Sequence, residues 1–177
     1  SKNYLQAKIP KPLINSKSLN AATKILINSK NPVIWSGGGV HISEASDELL
    51  ALAEYLQIPV MTTPEGKGSI SDKHYLSLGS PQGRSTGNSK DPLRDFFYKC
   101  DVILAIGTRF ANAEAKPSQK VIQIDIDQKE IGRNHKNTFG ILGNARQVLQ
   151  QLLKSVKLKT KPRKNKKIIY QKMRWNR

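Results

Sequence analysis

Four apolar runs in this 177-residue chain each end in residues able to hold a polar ligand. VIW at 33–35 is followed by Ser36 and then by Gly37, Gly38 and Gly39. Glycines let backbone approach a ligand closely, and the free N–H groups of a helix start attract an anion such as a pyrophosphate. The same glycines also suit a tight turn with no ligand. They do not complete the dinucleotide fingerprint G-x-G-x-x-G, because Ile42 stands where its last glycine belongs. IPVMT (58–62) leads into Thr63, Pro64 and then Gly66-Lys67-Gly68, again hydroxyls and small residues, but Met61 occupies the place of a P-loop's first glycine. DVILAIG (101–107) delivers Thr108 and Arg109. An arginine leaving the carboxyl edge of a sheet can pair with phosphate or stack on a flat ring, or it can be an ordinary surface residue of a turn. KVIQIDID (120–127), a predicted fourth strand, carries Asp125 and Asp127, whose carboxylates as alternate strand residues point the same way. One such carboxylate could accept both hydroxyls of a ribose.

No catalytic or metal-ligating set accompanies them. His41, His74 and His135 have no nucleophile at a recognisable spacing, and only His135 stands near the aspartate pair, in a different turn. Cys100 is the single cysteine, so a disulfide framework and a multi-cysteine zinc site are excluded. It ends a helix beside Asp101, a setting that disfavours thiolate.

The elements that must position these groups are readable in outline. Leu19, Ala22 and Leu26 predict a helix near 19–29, stopped by Asn31-Pro32. Ala45, Leu49, Leu52, Ala53 and Leu56 predict a second, with Ser43 as its cap and Glu44, Asp47 and Glu48 in its first turns. A long irregular stretch, 63–90, follows the second strand. A helix over 91–99, capped by Asp91 with Pro92 first, precedes the central strand. FGILG (139–143) is a short fifth strand, and 144–155 a closing helix with Val148, Leu149, Leu152 and Leu153 inward. Strands alternating with helices predict an α/β, Rossmann-like domain whose mostly parallel sheet is covered on both faces. In such a sheet ligands bind beyond the carboxyl ends of the strands, where all four candidate groups fall.

The net charge is +17, from 30 basic and 13 acidic residues. Residues 1–30 hold six lysines and 154–177 hold eleven basic residues, with no acid in either segment. The body between them is balanced. Charge confined to flanks is the pattern of solvated linkers rather than of a nucleic-acid-binding face, so no nucleic-acid partner is expected. No apolar run is long enough to span a membrane and SKNYLQAK is no secretory signal, so no membrane partner and a cytoplasmic location are expected.

Taken in order, IWSGGGV (34–40), IPVMTTPEGKG (58–68), LSLG (76–79), DVILAIGTRF (101–110), VIQIDIDQKEIG (121–132) and GILGNARQVL (140–149) resemble the central domain of thiamine-diphosphate-dependent enzymes. Acetolactate synthase, pyruvate oxidase and oxalyl-CoA decarboxylase share that domain. The resemblance implies a linker over 1–12, the central domain over 13–156, and a basic linker over 157–177 leading toward a catalytic domain. The pyrimidine- and diphosphate-binding domains, which would hold thiamine diphosphate and magnesium, have no counterpart here, so the chain alone would not be catalytic. The parent would be a homo-oligomer that decarboxylates a 2-oxo acid and transfers the acyl unit. In this domain the resemblance implies FAD or ADP. Gly37, Gly38 and Gly39 would face the pyrophosphate, with Thr63, Pro64 and Glu65 along the flavin path and Leu78, Gly79 and Ser80 beside the ring. Gly107 and Arg109 would meet the middle of the cofactor, and Asp125, Ile126 and Asn144 its adenosine end. Two places depart from the acetolactate synthase pattern: Ala111, Asn112 and Ala113 replace two acids and an arginine, and Gly143-Asn144 replaces G-D. The alternative is a stand-alone nucleotide-binding or interaction module of the same fold.

Overall fold

The computed structural model describes residues 13–81, 92–111 and 113–164. The expected cap Asp91, Asn112, the whole expected linker over 1–12 and residues 165–177 of the expected basic linker lie outside these residues. The chain order is α1 (Ser16–Asn28), β1 (Pro32–Ser36), α2 (Gly39–Ile42), α3 (Ser46–Leu56), β2 (Val60–Thr62), a 3-10 turn (Pro64–Gly66), β3 (Ser77–Gly79), α4 (Pro92–Lys99), β4 (Val102–Ile106), β5 (Lys120–Asp125), β6 (Thr138–Leu142) and α5 (Ala145–Lys159). All six strands are parallel, in the order β3-β2-β1-β4-β5-β6. β1 and β4 are buried at every position, as strands covered on both faces must be.

The two faces have different covers. Ile34, Val60, Leu104, Ile106, Ile122, Ile124 and Ile141 pack under α1, α3 and α5 through Leu26, Leu49, Leu52, Val148 and Leu152. Val33, Trp35, Met61, Ile103, Ala105 and Val121 face α4 and the segment after β4, against Leu93, Phe97 and Phe110. No helix among the described residues is long and apolar enough to cross a membrane.

Several boundaries differ from the sequence reading. LSLG, expected within an irregular stretch, supplies the edge strand β3, so the sheet has six strands rather than five. Three residues of strand give too short a pattern to separate from loop. The helix expected after the glycines is two helices. Ser43 closes α2, its Oγ donating to the Gly39 carbonyl at 2.6 Å, and Glu44 takes a left-handed φ of 51° before α3 starts. α1 starts at Ser16, where the Asn15 carboxamide accepts from the amides of Lys17 and Ser18. β5 ends at Asp125, so Asp127 is not a strand residue, and its amide instead donates to Asp125 Oδ1 at 3.0 Å.

The largest difference concerns the C-terminal side. α5 continues to Lys159, past the boundary expected at 156, and residues 160–163 fold back onto the body. Arg163 donates from Nη2 to the carbonyls of Leu26, Ile27 and Ser29 at 3.0–3.1 Å, closing the C-terminus of α1. The Arg163 amide donates to the Tyr55 carbonyl at 2.9 Å, and Tyr55 Oη donates to the Thr160 carbonyl at 2.8 Å. Residues 157–159, expected as linker, are helical, and Thr160 and Arg163 beyond them bond to the body.

Candidate functional site

Strand order reverses between β1 and β4, and the loops leaving their carboxyl ends part at this point. Here the glycines meet one another. The Gly37 amide donates to the Ile106 carbonyl at 2.9 Å and the Gly39 amide to the Gly107 carbonyl at 3.0 Å. A Cβ on Gly39 would lie 2.6 Å from Gly107 Cα, and one on Gly37 would lie 2.4 Å from the Gly107 carbonyl oxygen. Gly107 itself has a φ of +57°. Gly66 is held on the other side of the turn, where a Cβ would reach 2.1 Å from the Ser36 carbonyl oxygen. The glycine turn is thus an interlock of backbone on backbone. The amides of Gly37, Gly39, Val40 and His41 are all engaged by protein carbonyls.

Beside this interlock opens a cleft of about 300 Å³, bounded by α2, the β4 and β5 exits and the start of α5. Gly39, Gly107, Arg109, Asp125, Ile126 and Asn144, six of the fourteen residues singled out from sequence, line it together. Arg109 is exposed at its rim, its carbonyl accepting from Asn134 Nδ2 at 2.7 Å. Asn144 caps α5, its Oδ1 accepting from the Gln147 amide. Ile126 and Ile42 present bare apolar surface to the cleft, 59% and 89% exposed. Asp125 is half-buried. Burial holds its carboxyl above the ordinary range, and the nearby charges of Glu130 and Asp127 push the same way against the amides of Asp127 and Ile126. One wall of the cleft is therefore acidic and apolar, and a cation or a hydroxyl pair would relieve it.

The remaining candidates lie elsewhere. Gly38 faces Glu65, and Thr63 is buried with its Oγ1 accepting from the Gly66 amide at 3.1 Å. Pro64 and Glu65 are exposed on the 3-10 turn beside them. Leu78 is fully buried in the α4-side core, while Gly79 takes a φ of +75° and Ser80 Oγ is buried without a partner. These form a second group along the β2 and β3 exits, outside the cleft. No cluster of metal-ligating side chains occurs among the described residues.

Sequence reasoning missed Ile42, Glu130 and Gln123. Glu130 lies in a turn with no periodic signal, yet it lines the cleft and its Oε2 is buried without a partner. Gln123 had a signal, a lone amide within VIQID. It is 2% exposed and fully bonded, donating to the carbonyls of Thr108 and Glu130 and accepting from the Gly132 amide. It therefore fixes the cleft's two flanking loops to each other.

Comparison with known proteins places this geometry in a family. Residues 19–152 match the model of the thiamine pyrophosphate enzyme central domain. A probable acetolactate synthase large subunit from Methanocaldococcus jannaschii is 41% identical over 150 residues, covering 81% of this chain and 25% of that protein. The acetolactate synthase large subunit of Corynebacterium glutamicum is 35% identical over 149 residues, covering 81% of this chain and 23% of its own length. The chain thus spans about a quarter of the length of these relatives. The crystal structure of benzoylformate decarboxylase from Polynucleobacter necessarius shares the fold, with a TM-score of 0.71 at 17% identity over 93% of this chain and 30% of that one. An all-parallel six-stranded sheet, the glycine interlock at its switch point and this matched span together make the chain a member of the thiamine pyrophosphate enzyme central-domain family, of the kind found in acetolactate synthases.

Proposed function

We propose that this chain serves as the central domain of an acetolactate-synthase-like enzyme, and that its cleft takes an adenine nucleotide. In this reading the parent is a cytoplasmic homo-oligomer that decarboxylates a 2-oxo acid and transfers the acyl unit. Its pyrimidine- and diphosphate-binding domains hold thiamine diphosphate and magnesium, and this domain contributes no catalytic group. Thiamine diphosphate, when bound, supplies the stabilised carbanion.

The observation that carries the nucleotide reading is the convergence of Asp125, Ile126, Arg109 and Asn144 on one cleft. The half-buried Asp125 would accept from ribose hydroxyls, exchanging a poorly solvated carboxylate for one with donors. Ile126 and Ile42 would cover the faces of a flat base, and Arg109 would meet phosphate charge at the rim. The amides of Gly37 and Gly39 contribute little, being engaged already. Ala113 and Asn144 stand where the acetolactate synthase pattern has an arginine and an aspartate. The expectation is accordingly weak binding of an ADP-like group rather than stoichiometric FAD. Mass spectrometry of nucleotide released from purified protein, with calorimetric titration of ADP and FAD, tests this. Flavin near one per chain would overturn the preference for ADP, and failure of both ligands to bind would overturn the nucleotide reading.

A further inference from the structure

β3 and β6 are the edges of the sheet, and β6 leaves a row of backbone groups unused. It bonds to β5 through its odd-numbered positions: the Asn137 carbonyl accepts from the Val121 amide at 3.0 Å, and the Gly143 amide donates to the Asp125 carbonyl at 2.9 Å. By the alternation of a parallel ladder, the N–H and C=O groups of Thr138, Gly140 and Leu142 point away from the sheet. None of them has a hydrogen-bond partner among the described residues. An edge row of this kind is a template for one more strand, which proteins ordinarily blunt or cover. No proline or charged side chain interrupts β6, and its register with β5 is unbroken. The packing is unfinished on one face as well. Phe139 on β6, and Ile14 and Leu19 at and before the start of the neighbouring α1, are only partly buried against the core. Gly140 points to the opposite face, which Ile131 already covers.

We propose that residues 4–9 of this chain add a seventh strand to β6, parallel to it, departing from the linker expected over 1–12. The chain arrives at the right place. Ile14 Cγ1 would lie 3.3 Å from a Cβ on Gly143, so residue 13 stands near the carboxyl end of β6. A segment that reaches this point along the edge runs in the direction of β6. Its sequence has the alternation of a half-buried strand, with Leu5, Ala7 and Ile9 on one side and Tyr4, Gln6 and Lys8 on the other. Pro10 and Pro12 end the pattern. Setting Ile9 level with Gly143 leaves residues 10–13 to close the connection, a reach of up to about 13 Å across a strand spacing of about 4.8 Å. In that register Leu5 stands beside Phe139 and Ala7 beside Ile141, on the unfinished apolar face, and the polar set turns to the side of Ile131. The amides of Leu5, Ala7 and Ile9 meet the carbonyls of Thr138, Gly140 and Leu142. The amides of Gly140 and Leu142 meet the carbonyls of Leu5 and Ala7 in turn.

Amide hydrogen exchange of the 177-residue chain, read by NMR at Gly140 and Leu142, tests this. Both amides should exchange at least about a hundredfold more slowly than an unbonded exposed amide. Ala7→Pro removes a donor that faces β6 and should return both to fast exchange. Gln6→Pro, whose lost amide faces solvent on an edge strand, should leave both protected. Leu5→Asp, which sets a charge against Phe139, should release them as Ala7→Pro does. Slow exchange of Ile103 and Leu104 in the central strand reports that the body stays folded in each variant. Protection should be constant over about a twentyfold range of chain concentration. Fast exchange of both amides in the parent chain, protection that survives Ala7→Pro and Leu5→Asp, or an equal loss in Gln6→Pro would overturn the proposal. So would protection that grows with concentration, the sign of a second copy on the edge.

Discussion

Replacing Gly107 by alanine should damage the fold severely, and its cost can be built from the structure. The left-handed φ of +57° costs an L-residue about 1–2 kcal/mol. The added Cβ would then sit 2.5 Å from Gly39 Cα and 2.8 Å from its carbonyl carbon, where carbon atoms prefer roughly 3.5–4.0 Å. Both neighbours are backbone, so no side chain can swing away. The loops must part by about 1 Å, which strains overpacked groups by roughly 1–3 kcal/mol. Parting them also weakens the Gly39–Gly107 hydrogen bond, worth about 1 kcal/mol. The sum is roughly 3–6 kcal/mol. Gly68→Ala isolates the first term, because Gly68 has a φ of +91° and its Cβ would meet only His41 Cε1 at 3.8 Å. Urea unfolding of both variants beside the parent chain supplies the comparison. Gly107→Ala should lose at least about 2 kcal/mol more than Gly68→Ala, the clash and hydrogen-bond terms together. Equal losses would refute the interlock as a packing constraint.

Three further outcomes follow from the same structure. The Asp125 carboxyl binds its proton more tightly in the fold than in the unfolded chain, so its contribution to stability falls as pH rises from about 4. Asp125→Asn should therefore melt higher than the parent at pH 7, with the gain vanishing below about pH 4, and should lose ADP binding; a lower melting temperature at pH 7 would contradict this. Cys100, with its thiol pushed up to about 12 by burial and then by the charge of Asp101, should resist a thiol reagent at pH 8 and react at once in urea. Arg163→Ala should cost about 1.5–3 kcal/mol in urea unfolding, since three carbonyls at the end of α1 lose a charged donor, and a loss below about 0.5 kcal/mol would show the strap to be dispensable.

The parts of this fold that sequence made legible are those with long apolar signals. VIW, DVILAIG and KVIQID are buried strands in the structure, and the Leu49–Leu52–Leu56 repeat is the inward face of α3. The misreadings have local causes. Ser43 looks like an N-cap from its neighbours' charges, but its hydroxyl turns back to Gly39 because Glu44 breaks the helix in a left-handed conformation. The glycines were read as room for a ligand. Their nearest demand is contact with Gly107, a partner some seventy residues away that no local pattern reveals. The basic ends were read as linkers for want of acids and apolar periodicity. α5 nevertheless runs on to Lys159, past the expected end, and Arg163 carries the anchoring of the last described residues.

The pairing of α1 with α5 also decides how this body is strung in a chain. Ile14 lies against Gly143 next to the cleft, Thr23 meets Ser155, and Arg163 meets the last carbonyls of α1, so the two helices run in the same direction. The described body is thus entered at one pole and left at the other, separated by roughly the 22 Å length of a fifteen-residue helix. Whatever is joined ahead of residue 13 is delivered to the ligand edge, and whatever is joined after residue 164 departs from the far one. The domain behaves as a spacer with a fixed polarity, and tension between its two attachments would be borne along the α1–α5 seam.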